Sequence, residues 1–412
     1  MPRLLLLLPT RTYRTPALLA AAARCGVELT VASEEPSSVS QLNPSGFLTL
    51  PFSVPEDCVA PVLAFHQQFH VDAVIGIDDA VVEAAAVVAR TLELPHNDPV
   101  SVAAARDKKR SRELLVAGNV PCPESEWRAW GEDDCDCSPE FGFPAVVKPL
   151  SLSASRGVIR VDDAAALSAA VSRVESIVAE EEGCDLEDGF LVESFVSGPE
   201  VAVEGLLRGG VLEVLAVFDK PDPLEGPYFE ESIYLTPSRL GPAIQAELGQ
   251  VSAAACRALG LVEGAVHVEL RVTESGPVVI EVNPRAIGGL CSDVLRFGTG
   301  LGLEDILLHH ALGDRAPLPK RVDTAAGVLM LPVQGGGTLV RVDGVEAAAA
   351  VTGVERVAIT VHPGQELAAW PEGGAYPGFV FARGESAEDV EQALHTAGEE
   401  LTLVYRGVDT QT

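Results

Sequence analysis

Apolar and polar side chains alternate along two neighbouring segments, residues 265–273 and 277–283, which a Ser-Gly-Pro cluster separates. Alternation with a period of two is typical of a strand that buries one face, and Ser, Gly and Pro together are typical of a turn. The two segments therefore predict a β-hairpin. Its apolar face is expected to carry Val266, Val268, Leu270, Val278, Ile280 and Val282.

The polar face of this hairpin brings two carboxylates together. With the turn centred between the two segments, Glu269 lies directly opposite Glu281, and His267 lies opposite Asn283. Like charges at directly opposed positions are destabilising, so a cation is expected between them. Carboxylate and amide oxygens suit Mg²⁺, which makes Glu269, Glu281 and Asn283 candidate ligands. The alternative is a solvated polar face in which Arg271 neutralises one glutamate.

The N-terminal quarter of the chain alternates buried-strand and helix patterns. Its apolar run Leu4–Leu8 predicts a parallel strand covered on both faces rather than a secretory signal, because no small-residue cleavage site follows closely. Residues 1–97 are therefore expected to form a parallel α/β domain. The next turn, Pro-Thr-Arg-Thr, lacks the GxGxxG of a dinucleotide site. Ligands of open α/β sheets bind beyond the carboxyl ends of strands, where Thr10–Tyr13 and Gly76–Asp79 either contact a small molecule or serve only as caps and turns.

A buried strand predicted over residues 143–150 carries Lys148 near its end. A lysine there is costly unless its ammonium meets an anion, although the side chain could also reach solvent. The following loop, 151–157, offers backbone N–H groups and serine hydroxyls with little bulk, as phosphate-binding loops do. The alternative for this loop is a flexible turn.

Further along the chain, a strand is predicted at 190–195, just before a second Ser-Gly-Pro cluster. Residues 219–239 are rich in proline and acidic residues and are expected to form a long loop. The pattern of Pro242–Leu259 predicts a helix that leads into the hairpin. Towards the C-terminus, short strands and glycine turns predict a small α+β module.

The composition excludes some classes of partner. The net charge of the 412-residue chain is −31, so neither nucleic acid nor an anionic membrane surface is expected to bind. Only five of the 29 basic residues are lysines, which makes each lysine informative.

No apolar run approaches the roughly 20 residues of a membrane span. The eight cysteines show neither zinc spacing nor a disulfide framework, which favours a reducing cytoplasm.

The order of these features resembles the ATP-grasp superfamily. The motifs are Lys108, Lys148 with its small-residue loop, Glu193-Ser-Phe-Val196, Glu200, Glu269, Glu281-x-Asn283-x-Arg285 and Gly288-Gly289. Their spacing is most similar to the L-amino-acid ligase branch, which makes dipeptides and related amides. The resemblance implies an N-terminal α/β domain over 1–97, an ATP-grasp fold of two α+β subdomains over 98–190 and 191–318, and a C-terminal α+β module over 319–412.

The resemblance also implies an ATP site. Its residues would be Lys108, Lys148, Ser153, Ser155, Glu193, Phe195, Val196 and Glu200. Lys108 rather than its neighbour Lys109 would reach the phosphates, the backbone from Glu193 to Val196 would form the adenine hinge, and Glu200 would accept hydrogen bonds from the ribose. The hairpin ligands would hold Mg²⁺, with Mn²⁺ as a substitute.

A second implied group would act on the substrates. Arg285 would stabilise charge on the transferring phosphoryl group or on a tetrahedral intermediate, unless it only forms a salt bridge at the strand end. His267 would be a general base or a substrate hydrogen-bond partner, with a structural histidine as the alternative. Gly288 and Gly289 would let the substrate carboxylate approach the backbone, and Glu230 is a further candidate contact.

The reaction implied is ATP-dependent joining of a carboxylate to an amine through an acyl phosphate, with residues 219–239 as a lid. Small-molecule substrates, a cytoplasmic location and the homodimer common among relatives follow from the same resemblance. A bicarbonate-activating carboxylase is one alternative. Against it, no biotin carrier segment is visible, and Glu200-Val-Ala-Val stands where such enzymes have a basic, His-containing pattern. A non-catalytic nucleotide-binding protein is the other, which the intact hairpin residues disfavour.

Overall fold

A computed structural model describes residues 1–10, 12–131, 137–181 and 186–406. The described residues form four β-sheets with helices packed against them. The combination of a parallel α/β domain with α+β units confirms the predicted fold class. None of the helices described is long and apolar enough to cross a membrane.

The N-terminal domain is a four-stranded parallel sheet in the order β3-β2-β1-β4. Its strands are β1 Arg3–Leu7, β2 Glu28–Ser33, β3 Phe47–Thr49 and β4 Ala73–Gly76, and its helices are α1 Thr15–Cys25, α2 Val59–Gln68 and α3 Val82–Thr91. The leucines of β1 are fully buried, because the strand is central and helices cover both of its faces. The apolar run is therefore a core strand, as its pattern predicted.

Two short helices, α4 Pro99–Arg106 and α5 Lys108–Ala117, follow this domain and begin the predicted first subdomain. The Asp107 carboxylate caps α5 by accepting a hydrogen bond from the backbone N–H of Arg110 at 3.0 Å. The cap fixes Lys108 as the first helical residue and Arg112 one turn later. Both side chains reach the cleft described below.

The first subdomain contains a four-stranded sheet in the order β5-β8-β6-β7 with one long helix. Its elements are β5 Ser125–Arg128, β6 Ala145–Pro149, β7 Ile159–Val161, α6 Ala164–Glu180 and β8 Phe190–Ser194. Lys148 lies in β6 and Glu193 lies in β8, and the two strands pair antiparallel. Neighbouring strands thus bring these two charged residues together.

The largest sheet has eight strands in the order β13-β12-β9-β10-β11-β14-β18-β16. The strands are β9 Glu200–Arg208, β10 Val211–Lys220, β11 Ile233–Thr236, β12 Gly264–Thr273, β13 Gly276–Asn283, β14 Ala325–Met330, β16 Val354–Ile359 and β18 Gly378–Gly384, and the helices are α7 Pro242–Leu259, α8 Leu303–Ala311, α9 Val345–Ala349 and α10 Ala387–Glu400. A small sheet, in the order β17-β15-β19, comprises Gly337–Asp343 (β15), Glu366–Leu367 (β17) and Thr402–Tyr405 (β19).

The predicted loop over residues 219–239 needs correction. Residues 219–239 are not one long loop, because β10 extends to Lys220 and Ile233–Thr236 forms β11. The short strand β11 pairs with β14, about 90 residues later. Because this partner is distant in sequence, the local pattern of residues does not predict the strand. Because of this pairing, one continuous sheet crosses the expected boundary between residues 318 and 319. The four domain boundaries themselves stay predictions.

The hairpin of β12 and β13 has the predicted register at its polar end. Glu269 pairs with Glu281, and His267 pairs with Asn283. The strand β9 flanks β12 on its other side, where Glu204 is the partner of His267. Three acidic side chains and one histidine are therefore concentrated at this point of the sheet.

Between the turn and Glu281, the second strand of the hairpin contains a β-bulge. Leu270 pairs with Val279, which leaves Ile280 as an extra residue and reverses the alternation of side chains. The predicted apolar face is therefore wrong at Val278 and Ile280 of the second strand and confirmed at Val282. Val279 and Val282 are buried in the core, whereas Val278 and Ile280 are only partly buried.

Candidate active site

A cleft of about 880 Å³ lies between the two ATP-grasp subdomains. Every residue that the sequence assigned to ATP lines it: Lys108, Lys148, Ser153, Ser155, Glu193, Phe195, Val196 and Glu200. Two of the hairpin candidates, Glu269 and Glu281, line it as well. The structure thus brings together residues that are up to 173 positions apart.

Lys148 and Glu193 form a buried ion-pair triad with Arg112. The ammonium of Lys148 lies 2.7 Å from Glu193 Oε2, and Arg112 Nε donates to Glu193 Oε1 at 2.7 Å. Burial alone would raise the pKa of Glu193, but the two cations outweigh it and lower the pKa to about 2. The Glu193 side chain is only 1% exposed. The side chain of Glu193 therefore fixes the positions of Lys148 and Arg112, while a hinge role for the backbone from Glu193 to Val196 stays a prediction.

Lys108 lies where the cleft meets the hairpin. Its ammonium donates to the Leu152 carbonyl at 2.7 Å and lies 3.7 Å from Glu281 Oε1. It thus connects the small-residue loop to a candidate metal ligand. Lys109, the neighbour considered in the sequence, instead packs over the Trp127 ring at 3.9 Å, which supports the choice of Lys108.

The expected adenine hinge is partly occupied by the protein's own arginines. The guanidinium of Arg271 donates to the Val196 carbonyl at 2.7 Å, and Arg160 lies 4.2 Å from the centre of the Phe195 ring. Arg271 also donates to Glu200 Oε2 at 2.9 Å. The alternative in which Arg271 neutralises a hairpin glutamate is thus replaced by a pair with Glu200.

A cluster of three carboxylates surrounds Lys220. One oxygen each from Glu200, Glu231 and Glu269 lies within 4.8 Å of the others. The ammonium of Lys220 is 2.7 Å from Glu200 Oε1 and 3.4 Å from Glu269 Oε2, and it also contacts Glu231. Burial opposes the charge of Lys220, but the carboxylates raise its pKa well above the usual value. Lys220 therefore neutralises part of the charge of this cluster, and ribose binding by Glu200 stays a prediction.

The hairpin donors have the chemistry that a hard divalent cation requires. Glu269, Glu281 and Asn283 line one cavity and supply carboxylate and amide oxygens. Lysines approach both carboxylates from the sides, Lys220 at 3.4 Å from Glu269 and Lys108 at 3.7 Å from Glu281. The cations beside these two carboxylates are thus lysines of the protein, and metal binding by Glu269, Glu281 and Asn283 stays a prediction.

His267 lies between two carboxylates in the interior. Its Nδ1 is 3.0 Å from Glu204 Oε2 and its Nε2 is 3.6 Å from Glu269 Oε1. Burial alone would lower the pKa of His267, but hydrogen bonds to these glutamates raise it to about 9. A general base needs a neutral imidazole near neutral pH, whereas these two carboxylates favour the charged ring. The role of His267 as a base or as a substrate contact stays a prediction.

Arg285 is held by the N-terminal domain. Its Nε and Nη2 donate to the two oxygens of Asp79 at 2.9 and 2.6 Å. Burial raises the pKa of Asp79, but Arg285 outweighs burial and lowers it. A bidentate pair fixes the guanidinium plane, so the salt bridge and a role at the reacting group are compatible.

A second cavity of about 1300 Å³ adjoins the hairpin. Its walls come from four parts of the chain. They include Thr12, Tyr13, Arg14, Asp78 and Asp79 of the N-terminal domain, Lys108 with Ser151, Leu152, Ser153, Ala154 and Ser155 of the small-residue loop, His267, Glu269, Glu281, Asn283, Arg285, Gly288 and Gly289 from the hairpin onwards, and Gly374 and Tyr376 of the C-terminal module. The strand ends that the sequence connected with a small molecule therefore face the predicted substrate residues.

Glu230 is the exception among the predicted substrate contacts. Its carboxylate accepts a hydrogen bond from the backbone N–H of Val333 at 3.2 Å, and it lines neither the cleft nor the cavity. Glu231 lines the cavity instead. Sequence reasoning also missed Arg112, Glu204 and the cavity wall of the C-terminal module, because each depends on contacts between distant segments.

Comparison with known families agrees with this geometry. Residues 141–294 match the ATP-grasp domain, residues 19–96 match the ATP-grasp N-terminal domain, and residues 329–406 match the L-amino acid ligase C-terminal domain 2. The matched segments follow one another in the order that the motifs implied. The resemblance inferred from the motifs is therefore confirmed.

Similar proteins include members of known and unknown activity. The crystal structure of L-amino acid ligase from Bacillus licheniformis matches with a TM-score of 0.80 at 27% identity, covering 99% of both chains. The uncharacterized protein y4rH of Sinorhizobium fredii is 29% identical over 76% of this chain and 64% of its own. Carnosine synthase 1 of Homo sapiens is 29% identical over 59% of this chain and 31% of its own. This chain therefore spans only part of the length of these two curated relatives.

Proposed function

Since the chain belongs to the ATP-grasp proteins, we propose that it is an ATP-dependent carboxylate–amine ligase. It joins an amino acid to an amine or to a second amino acid and releases ADP and phosphate. We further propose that it works in the cytoplasm on small molecules. Homodimer formation stays a prediction.

The observation that carries this proposal is the junction of the two cavities. Six residues line both the nucleotide cleft and the substrate cavity: Lys108, Leu152, Ser153, Ser155, Glu269 and Glu281. A phosphate chain that extends from the cleft would therefore reach the substrate cavity beside the hairpin carboxylates. Phosphoryl transfer requires this arrangement, because positioning and charge neutralisation supply most of its catalysis.

The first step activates the carboxylate. One of its oxygens attacks the γ-phosphorus of ATP, the bond from that phosphorus to the bridging oxygen breaks, and ADP leaves an acyl phosphate behind. Lys108 and Lys148 bind the phosphates, and Arg285 stabilises the charge that develops on the transferring group. Mg²⁺, or Mn²⁺ in its place, would be held by Glu269, Glu281 and Asn283 and would supply neutralisation of phosphate charge.

The second step forms the amide. The amine nitrogen attacks the acyl carbon, the C–N bond forms, the C–O bond to phosphate breaks, and a proton leaves the nitrogen. Water is the competing nucleophile, so its exclusion protects the intermediate. The segment 221–232 lies between β10 and β11, and it contributes Phe229 to the cleft and Glu231 to the cavity. We propose that it is the lid.

The lid can be tested by measuring ATP hydrolysis that is not accompanied by amide formation, which is called the leak here. The Phe229→Ala variant should release phosphate faster than the unmodified chain when the carboxylate substrate is present and the amine is absent, because water gains access to the acyl phosphate. Phosphate release is measured with a coupled assay. An unchanged leak in this variant would show that Phe229 does not exclude water.

The function itself is tested by phosphate release from ATP with a panel of amino acids, added singly and in pairs, and with bicarbonate. Release that requires two amino acids, together with an amide product in the mass spectrum, supports the proposal. Release with bicarbonate alone would instead indicate the carboxylase type of reaction. Nucleotide binding without any release would indicate a non-catalytic nucleotide-binding protein.

A further inference from the structure

A segment of the C-terminal module lies against the small-residue loop of the first subdomain. This segment, Trp370–Gly374, is called the strap here and lies between β17 and β18. Three hydrogen bonds join it to the loop: Trp370 Nε1 donates to the Ala154 carbonyl at 2.9 Å, the Gly157 N–H donates to the Pro371 carbonyl at 2.9 Å, and Arg156 Nε donates to the Glu372 carbonyl at 3.0 Å.

The loop has a backbone conformation that requires support. Ala154 and Ser155 have φ angles of +53° and +56°, which are unfavourable for residues with a Cβ atom. Such conformations persist where surrounding structure holds them. The strap contact to Ala154 lies at the first of these two residues, and Ser155 lines both the cleft and the cavity.

The strap is itself firmly held. The Trp370 side chain is buried and packs on Tyr376, with ring centres 5.1 Å apart. The Glu372 carboxylate pairs with Arg173 of α6 through contacts of 2.6 and 3.0 Å, and Arg173 also contacts Tyr228 of the segment 221–232. The strap thus connects the loop, the helix α6 and the proposed lid.

The strap and the loop are in close contact at Gly374. A methyl group added there would lie 2.7 Å from Cδ of Arg156, so the Arg156 side chain would have to move. Gly374 and Tyr376 also line the substrate cavity. The same short stretch of the C-terminal module therefore contacts both the loop and the space for the substrate.

We propose that Trp370 is a positioning residue for the phosphates of ATP: through its hydrogen bond to Ala154, the C-terminal module holds the loop in the conformation that binds them. This inference rests on the proposed nucleotide function of the cleft. It makes the C-terminal module part of the ATP site, although none of the side chains described in this module lines the cleft itself.

The test compares two ligands that differ in what the loop can contact. Dissociation constants are measured for Mg·AMP-PNP, which carries a triphosphate, and for adenosine, which carries none. Trp370→Phe removes the indole N–H and keeps an aromatic ring, so we expect an affinity for Mg·AMP-PNP about fivefold weaker, the effect of one hydrogen bond, and an unchanged affinity for adenosine. Trp127→Phe is the matched control, because its exposed indole donates to the Asp188 carbonyl at 2.8 Å away from the cleft.

A second variant separates loss of the strap contact from general unfolding. Glu372→Gln alters a solvent-exposed ion pair, so its fold should be intact while the strap is loosened, with a smaller loss of Mg·AMP-PNP affinity than in Trp370→Phe. Equal loss for both ligands, or no loss in either strap variant, would overturn the proposal. Failure of the unmodified chain to bind either ligand would overturn the nucleotide function as well, which separates the two outcomes.

Discussion

The nucleotide cleft and the substrate cavity share one wall, yet they are built in different ways. In the cleft, a charge expected to meet ATP is already paired within the fold, as Lys148 is with Glu193 at 2.7 Å. In the cavity, the walls come from four parts of the chain, represented by Tyr13, Ser153, Asn283 and Tyr376. The cleft thus contains fixed buried ion pairs, whereas the shape of the cavity depends on how these four parts pack together.

This difference separates two tasks. Binding of a polyphosphate requires fixed cations, and the buried ion pairs supply them at the cost of desolvating both partners. Choice of substrate requires a surface that can vary, and loops from several domains provide one. Variants in the two regions should therefore have different effects, and the following four are ordered from the largest expected effect to the smallest.

Glu281→Gln should lower turnover about 10³-fold, because it removes a carboxylate that would hold the metal, and a metal supplies several kcal/mol of transition-state stabilisation. The fold should be unaffected, since Glu281 is partly exposed. Turnover and Mn²⁺ binding by paramagnetic resonance are measured together. Glu274→Gln, at the exposed turn of the same hairpin, is the control. Full activity in Glu281→Gln would refute the metal assignment.

Arg285→Lys should lower kcat about 10²-fold, because a lysine keeps the charge but loses the planar donor fork. Asp79→Asn is the matched variant, since it weakens the domain contact of Arg285 and leaves the guanidinium in place. Its loss in kcat should be clearly smaller. Equal losses in the two variants would mean that Arg285 acts only as a link between domains.

Glu193→Gln should lower the free energy of unfolding by about 3 kcal/mol, because it leaves two buried cations without their carboxylate. The pKa of Glu193 is depressed in the fold to about 2, so its contribution is complete above the unfolded value near 4.5 and is lost as pH falls towards 2. The difference in stability between the unmodified chain and the variant should thus shrink over this range. Urea unfolding at several pH values measures it, and a constant difference would contradict the ion-pair account.

Gly288→Ala should change the substrate range with little change in stability. Its added methyl group meets no atom within 4 Å, so it should raise KM about tenfold for the larger amino acids. Gly289→Ala is the comparison, because Gly289 has a φ of +59° and Phe379 is 3.0 Å from the added carbon. That variant should lose about 1 kcal/mol of stability. Unchanged KM values across the panel in Gly288→Ala would show that this residue does not contact substrates.

Features with a local cause could be predicted from the sequence. The helix Pro242–Leu259 has its predicted bounds, and the pairs of Glu269 with Glu281 and of His267 with Asn283 follow from the turn. The bulge was missed because Val279 and Ile280 are both apolar and β-branched, so the pattern does not show which one is extra.

Features that depend on distant contacts could not be predicted. Arg112 belongs to a charged helix that looks solvent-exposed, and it is buried only because Glu193 meets it from 81 residues away. The strand Ile233–Thr236 exists through pairing with β14. The strap contact of Trp370 spans 216 residues. The candidate residues of the cleft could therefore be identified from motifs, whereas Arg112, the strand Ile233–Thr236 and the strap contact required the structure.

The most direct test of the ligase proposal follows an oxygen atom. The carboxylate substrate is labelled with ¹⁸O in its carboxyl group, and the phosphate released in a complete reaction is analysed by mass spectrometry. Because an acyl phosphate passes one carboxyl oxygen to phosphate when the amine displaces it, we expect one ¹⁸O atom in the released phosphate. Unlabelled phosphate from a reaction that forms the amide would contradict the acyl-phosphate mechanism.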